Sequence, residues 1–160
     1  MYTFFLFVCY TLQEVDMNYK LRSCCLEDLE FILELKTLGM KWYIEKLYGW
    51  DLGLQREITK QEMNSKLEDI KIVTLGSKDI GVTTFSEYKD FYEVGLIVIH
   101  PDYQNKGIAT SIIKKYINTA KMNKKRIVIK TYKENPAKNL YLKLGFTIFK
   151  TDKTHLYLEK

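Results

Sequence analysis

The sequence predicts an α/β domain of the α+β type, built from one mixed sheet with helices on its faces. Three observations support this prediction. The chain has 160 residues, enough for one domain with its own core and too few for two ordinary domains. Its apolar residues follow a helical period in some stretches and form the short runs or alternation of strands in others. The predicted elements follow the order β-α-α-β-β-β-α-β-α-β-β, which favours a single sheet flanked by helices.

The first part of the predicted domain contains one strand followed by helices. Residues 18–22 alternate polar and apolar side chains, as a short strand does. An apolar stripe begins at Leu26, with acidic residues in the first turn, and predicts a helix that ends at Gly39. A second helix is predicted over residues 41–48, and residues 51–68 are helical or irregular.

The remainder of the chain is predicted to be mainly strands. A helix is expected over residues 106–122, where apolar residues recur on one side. Another is expected over residues 136–144, which carry Pro in the first turn and are followed by Gly145. A turn at residues 76–79 separates the first two strands of this part. The predicted strands cover residues 70–75, 80–85, 91–99, 127–129, 146–150 and 155–158.

The first sixteen residues stand apart from the domain predicted over residues 17–160. Residues 1–12, MYTFFLFVCYTL, are apolar but too short to span a bilayer, which needs about 20 residues. They lack a basic residue before the apolar run and an obvious cleavage site, which argues against a signal peptide. Two interpretations remain open. The segment is either an upstream extension with Met17 as the natural start, or an added strand or helix that covers an apolar patch on the domain or a partner subunit.

Charge and cysteine content narrow the classes of function. The net charge of +5 suits an anionic ligand. The densest basic run, residues 121–126, has no interleaved aromatic residues, so no nucleic-acid partner is expected. The three cysteines, of which Cys24 and Cys25 are adjacent, favour a reducing cytoplasm over a disulfide framework. With two histidines and no C-x-x-C, no metal site is expected.

A phosphate-binding loop is predicted between the strand at 91–99 and the helix that follows. A helix N-terminus offers unpaired N–H groups and the positive end of the helix dipole. Gly107 and Ala109 have little or no side chain, so a bulky anion can approach the backbone, and Lys106 adds positive charge. On these residues alone, an ordinary strand–helix connection is the alternative. The candidate ligand-binding residues are Ile97, Val98, Ile99, Gln104, Asn105, Lys106, Gly107, Ile108, Ala109 and Thr110.

This loop resembles a signature of a known family. Residues 104–109, QNKGIA, are similar to the Q/R-x-x-G-x-G/A motif of the GNAT acetyltransferases. Asn105 stands where glycine is frequent, and asparagine adopts unusual backbone angles readily. In that family the loop and helix start hold the pyrophosphate of coenzyme A. The preceding strand, here residues 97–99, pairs its backbone with the pantetheine arm.

A second motif extends the resemblance to residues 18–160. Residues 135–146, NPAKNLYLKLGF, are similar to the family's N-P-A-x-x-L-Y-x-x-x-G-F. The resemblance implies the GNAT fold, with a mixed, mostly antiparallel sheet of about six to seven strands flanked by about four helices, and acetyl-CoA as the cofactor. It also implies that Tyr141 lies beside the coenzyme sulfur as general acid, and that Asn135 contacts the coenzyme besides capping a helix. A phenol is protonated at pH 7 and can protonate a leaving thiolate. The alternative for Tyr141 is packing in the core.

A candidate catalytic base lies on the strand that leads into the loop. Glu93 precedes Gln104 by eleven residues, the position of the general base in the histone-acetyltransferase branch of the family. A solvent-facing strand residue, with ordered water as the base, is the alternative. A backbone N–H near Ile97 or Val98 is expected to bind the thioester oxygen.

The wall of the acceptor site is expected in a stretch of aromatic and acidic residues after the first helix. It resembles a Y-x-E-x-x-x-G-W-D pattern in some bacterial GNAT proteins, and such residues can hold a small cationic amine. Anchors of the core or of a dimer interface are the alternative for the tryptophans. The candidate acceptor residues are Trp42, Glu45, Trp50 and Asp51.

These features predict an enzyme that transfers acetyl from acetyl-CoA to a primary amine by direct attack in a ternary complex. A small-molecule amine is the expected acceptor. No membrane partner is expected, and a homodimer is compatible with the sequence. Two alternatives stay open. One is transfer to the N-terminus or a lysine of a protein, and the other is a coenzyme-A-binding sensor without turnover.

Overall fold

One seven-stranded sheet carries the fold in the computed structural model, which describes residues 18–160. The apolar extension predicted over residues 1–16 lies outside the described residues. The strands are β1 (Tyr19–Ser23), β2 (Ile70–Leu75), β3 (Lys78–Glu87), β4 (Phe91–Ile99), β5 (Arg126–Tyr132), β6 (Thr147–Thr151) and β7 (His155–Glu159). The helices are α1 (Leu29–Tyr48), α2 (Leu52–Lys66), α3 (Ile108–Met122) and α4 (Lys138–Lys143).

The sheet is mixed and mostly antiparallel, as the sequence predicts. Its strand order is β1-β2-β3-β4-β5-β7-β6. The pair β4–β5 is parallel, and the other neighbouring pairs are antiparallel. The chain order of the strands also matches the prediction. Among residues 18–160, no helix combines the length and apolar character needed to cross a membrane.

Two apolar clusters cover the sheet. In one, α3 packs on the central strands through Ile112 and Ile113, which are fully buried against Ile129. In the other, α1 and α2 pack through Leu35 and Met63. Full burial of one such side chain contributes about 1.5–3 kcal/mol. Helices on both sides therefore hold the central strands in place.

The strands β4 and β5 separate partway along their length. Their parallel pairing runs from Phe91 opposite Arg126 to Val94 opposite Ile129, although both strands continue beyond these pairs. At the same point, the register between β3 and β4 shifts by one residue, so that two residues of β4 lie opposite Thr84. Such a bulge bends the strand that carries the extra residue. The result is a wedge between β4 and β5.

The prediction that a helix ends at Gly39 is wrong. Helix α1 runs through Gly39 and ends at Gly49, which has a φ of 78°. Gly39 is required by packing, because a Cβ at this position would lie only 2.8 Å from Cγ1 of Val98. The two helices predicted over residues 26–48 are therefore one, and the uncertain stretch that follows is α2, capped by Asp51.

Helix α3 begins at Ile108, two residues later than predicted. Asn105 and Gly107 have φ angles of 59° and 82°, in the left-handed region that a right-handed helix cannot include. Helix α4 likewise begins at Lys138, after a turn in which the Asn135 side chain accepts a hydrogen bond from the Ala137 N–H at 2.9 Å.

Candidate active site

Two cavities lie against successive residues of β4. The first, which we call the loop cavity, has a volume of about 500 Å³. It is lined by the end of β4, the loop after it, the start of α3, the turn and helix around α4, and one side of α1. The second, the large cavity, has about 810 Å³ between α1, α2 and the sheet. Leu96 lines the large cavity and Ile97 lines the loop cavity, so consecutive residues of β4, next to its bulge, contribute to both linings.

The loop before α3 presents unpaired backbone N–H groups. The first helical hydrogen bond is donated by the Ser111 N–H to the Gly107 carbonyl at 2.9 Å. Across residues 18–160, no acceptor is found for the N–H groups of residues 108–110. A Cβ on Gly107 would meet no atom within 4 Å, so the space before these groups is open. This arrangement can bind a phosphate group.

Gln104 and Lys106 hold the loop in place. Gln104 donates from Nε2 to the Ile99 carbonyl at 2.8 Å, which ties the loop to the end of β4. Lys106 donates from Nζ to the Asp102 carbonyl at 3.1 Å. Lys106 does not line the loop cavity, whereas the other nine candidate ligand-binding residues of strand and loop do.

The end of β4 has backbone groups that face away from β3. The His100 N–H donates to the Ile80 carbonyl at 2.8 Å. Along an antiparallel pair of strands, opposite residues alternate between pairs that exchange hydrogen bonds and pairs that do not. Val98, opposite Val82, is therefore bonded to β3, while the backbone groups of Ile97 point to the side of β5. Because β5 has already diverged, these groups are available to a ligand. Of the two N–H groups expected to bind the thioester oxygen, that of Ile97 is the accessible one.

Tyr141 lines the loop cavity from α4 and is 3% exposed. Its ring packs edge to face on Phe146, with the ring centres 6.2 Å apart. Burial raises the pKa of Tyr141 to about 12, because the phenolate would lose its hydration. No hydrogen-bond partner for its hydroxyl is found within the described part of the chain. The group is therefore a protonated donor that faces a cavity, and Asn135, at the start of the same turn, lines that cavity too.

Glu93 lines the large cavity from β4 and is half-buried. Its Oε2 accepts a hydrogen bond from the Tyr88 hydroxyl at 3.1 Å. The same hydroxyl accepts from Lys66 Nζ at 2.7 Å. Because an ammonium can only donate, the single proton of Tyr88 is directed to Glu93. The hydrogen bond from Lys66 to Tyr88 raises the pKa of Lys66. Tyr88 and Lys66 were not predicted, and no motif in the sequence marks them.

The four candidate acceptor residues fall in different places. Trp50 and Asp51 line the large cavity, and the Asp51 carboxylate accepts from the Leu54 N–H at 2.8 Å as the cap of α2. Trp42 lines the loop cavity instead, and the exposed Glu45 lines neither cavity. The sequence did not predict that Tyr48, Tyr132 and His155 also line the large cavity.

A row of aromatic rings connects the linings of the two cavities. Tyr43 is 2% exposed, with its ring centre 5.2 Å from that of Trp42 and 5.4 Å from that of Tyr132. Trp42 belongs to the loop cavity and Tyr132 to the large cavity. Together with β4, these rings form the boundary between the two sites.

Comparisons with known proteins agree with this geometry. A family model described as an acetyltransferase (GNAT) domain matches residues 68–148. A sequence search of curated proteins gives no match.

Several solved structures share the fold. The PaiA N-acetyltransferase from Thermoplasma acidophilum, in complex with coenzyme A, has a TM-score of 0.72 and 22% identity, over 90% of this chain and 99% of that one. An acetyltransferase from Thermus thermophilus has a TM-score of 0.70 and 16% identity, over 89% and 96%. A GNAT-family acetyltransferase from Bacillus anthracis has a TM-score of 0.64 and 19% identity, over 89% and 93%.

Proposed function

Because the chain belongs to the GNAT acetyltransferase family, we propose that it transfers the acetyl group of acetyl-CoA to a primary amine of a small molecule. The observation that carries this proposal is the contact of the two cavities with successive residues of β4, Leu96 and Ile97. A donor in one cavity and an acceptor in the other can meet at this point. Such positioning alone lowers the barrier of a two-substrate reaction substantially.

The loop cavity fits coenzyme A. The open N–H groups of residues 108–110 bind the pyrophosphate, and Gly107 leaves room for it. The backbone of Ile97 pairs with the pantetheine arm and directs its N–H to the thioester oxygen. Acetyl-CoA supplies an acetyl group that is activated as a thioester.

Two side chains handle protons. The amine nitrogen forms a bond to the acetyl carbon as the bond from that carbon to sulfur breaks. Glu93 takes the proton that the amine loses, and Tyr88 holds the Glu93 carboxylate by occupying one of its oxygens. Tyr141 donates its proton to the sulfur as the thiolate leaves, which its burial supports because the phenol stays protonated at neutral pH.

The shape of the acceptor site supports a small molecule. The large cavity lies between α1, α2 and the sheet, and its volume of about 810 Å³ is within the usual range of small-molecule sites, about 300–1,000 Å³. The free thiols of Cys24 and Cys25 are consistent with a reaction in the cytoplasm.

A screen of amines tests the proposed function. The purified protein is incubated with acetyl-CoA and a library of small amines, peptides with free N-termini and lysine peptides, and release of the free thiol is followed. We expect release that depends on a small amine, with the acetylated amine identified by mass spectrometry. Binding of coenzyme A without turnover of any amine would instead indicate a sensor, and preference for the peptides would indicate a protein acetyltransferase.

A further inference from the structure

The large cavity contains apolar side chains that the proposed reaction does not need. We infer that the acceptor is a monoamine carried on a large apolar body, whose ammonium end lies at Glu93 and whose apolar end lies against α2. This inference rests on the proposed function and adds the chemical class of the acceptor.

Three large side chains that line this cavity are exposed to solvent. Tyr48 is 62% exposed, Leu54 is 58% exposed and Ile58 is 36% exposed. Exposed apolar groups that share a concave surface are typical of ligand sites. Leu52 lies on α2 with Leu54 and Ile58 and is 53% exposed, but it does not line the cavity. It is therefore a suitable control position.

Aliphatic side chains also form part of the remaining wall, beside charged and polar residues. Ile32 and Met40 of α1 face the cavity, as do Val82 of β3 and Leu96 of β4. Glu93 lies on β4, whereas Leu54 and Ile58 lie on α2, so this carboxylate and the exposed apolar side chains of α2 belong to different walls. A small polar amine would leave these apolar side chains in contact with water, whereas an apolar body would cover them.

The charges of the cavity favour one ammonium over several. Asp51 caps α2, Glu62 accepts from Lys36 Nζ at 2.9 Å, and Glu93 accepts from Tyr88. Each carboxylate therefore already has a partner. Three lysines also line the site, so a polyamine would bring further positive charges towards positive groups. The lining lysines are Lys36, Lys66 and Lys130.

Straight-chain amines from propylamine to heptylamine measure the apolar contribution, because the ammonium group is the same throughout. Transfer of one methylene from water into an apolar site changes affinity about fourfold, the equivalent of about 0.8 kcal/mol. We therefore expect the Kd, measured by calorimetry on the protein saturated with coenzyme A, to fall about three- to fourfold per methylene. With acetyl-CoA, kcat/KM should rise by a similar factor. Spermidine should bind more weakly than heptylamine.

Two matched variants locate the apolar end. Leu54→Lys should weaken heptylamine binding about tenfold or more and flatten the dependence on chain length, while Leu52→Lys should leave both unchanged. A Kd that is independent of chain length, tighter binding of spermidine, or equal effects of the two variants would overturn the inference. The binding measurements do not need turnover. Binding with the expected pattern but without acetylation would therefore contradict the proposed function alone, and acetylation of amines without regard to apolar size would contradict this inference alone.

Discussion

Gly39 and Val98 are packed so closely that a Cβ on Gly39 would lie 2.8 Å from Cγ1 of the valine. This contact brings the middle of α1 against the end of β4, and both residues line the loop cavity. The side chain of Val98 is β-branched and buried, so it cannot rotate freely to make room. The glycine therefore sets the distance between the helix and the strand that borders the site.

We expect Gly39→Ala to destabilise the protein. Alanine in a helix is favoured over glycine by up to about 1 kcal/mol, but overpacking a rigid contact costs about 1–3 kcal/mol. Urea unfolding measures the change in the free energy of unfolding. In the double variant with Val98→Ala, the cost of Gly39→Ala should largely disappear, which isolates the contact. A single variant as stable as the wild type would show that α1 can shift away from β4 without loss.

The same glycine shows where prediction from the sequence reaches its limit. A glycine in a helical pattern resembles a helix end, and the residue that explains it, Val98, comes from a distant strand. The bounds of β4 were predicted well, and most of the candidate ligand-binding residues line one cavity, because local turn chemistry and two motifs mark this part of the chain. Their role in binding a ligand stays a prediction. Tyr88 and Lys66 could not be predicted, because their relation to Glu93 arises only when α2 and the β3–β4 connection pack together.

Gly107→Glu should abolish binding of coenzyme A. The wild-type protein is expected to bind with a Kd on the order of micromolar, or about −8 kcal/mol, by calorimetry. The glutamate would place bulk and negative charge at the proposed pyrophosphate site. Because Gly107 has a φ of 82°, the substitution also strains the backbone, so a control is needed. Gly76→Glu, at a φ of 60° in a turn between strands, introduces the same strain and charge elsewhere and should keep the binding.

Acid should destabilise the protein through Asp28. Arg22 donates hydrogen bonds to both carboxylate oxygens, at 2.6 and 2.8 Å, and this pairing lowers the pKa of Asp28 from 3.8 to about 2. A lowered folded-state pKa means that the stabilisation is present above about pH 4 and is lost as the pH falls towards 2. The loss should be roughly 2 kcal/mol. Thermal melting from pH 5 to pH 2 should show it, and in Asp28→Asn this part of the pH dependence should be absent.

Tyr88 should act on turnover only through Glu93. Its hydroxyl occupies one carboxylate oxygen and so fixes the direction of the other. Glu93→Gln should reduce kcat about 10²-fold, the lower end of the usual range for a general base, while coenzyme affinity stays constant. Tyr88→Phe should lower kcat by a smaller factor in the wild-type background and have no further effect in Glu93→Gln. Equal effects of Tyr88→Phe in both backgrounds would mean that the tyrosine only supports the local structure.

Tyr141→Phe tests whether the buried hydroxyl supplies a proton. The ring is kept, so the loss of packing should be small, and turnover should fall by about 10²-fold or more. The loss should appear in kcat, because the proton is needed as the thiolate forms, while coenzyme affinity stays within a few fold. Since burial raises the pKa of Tyr141 to about 12, the wild-type rate should not fall through loss of this proton until the pH approaches that value. Tyr116→Phe is the matched control, because it also removes a buried tyrosine hydroxyl. Tyr116 lines neither cavity, so this variant should leave kcat unchanged. If Tyr141→Phe retains near-wild-type kcat, Tyr141 packs in the core and the thiolate must take its proton from water or another group.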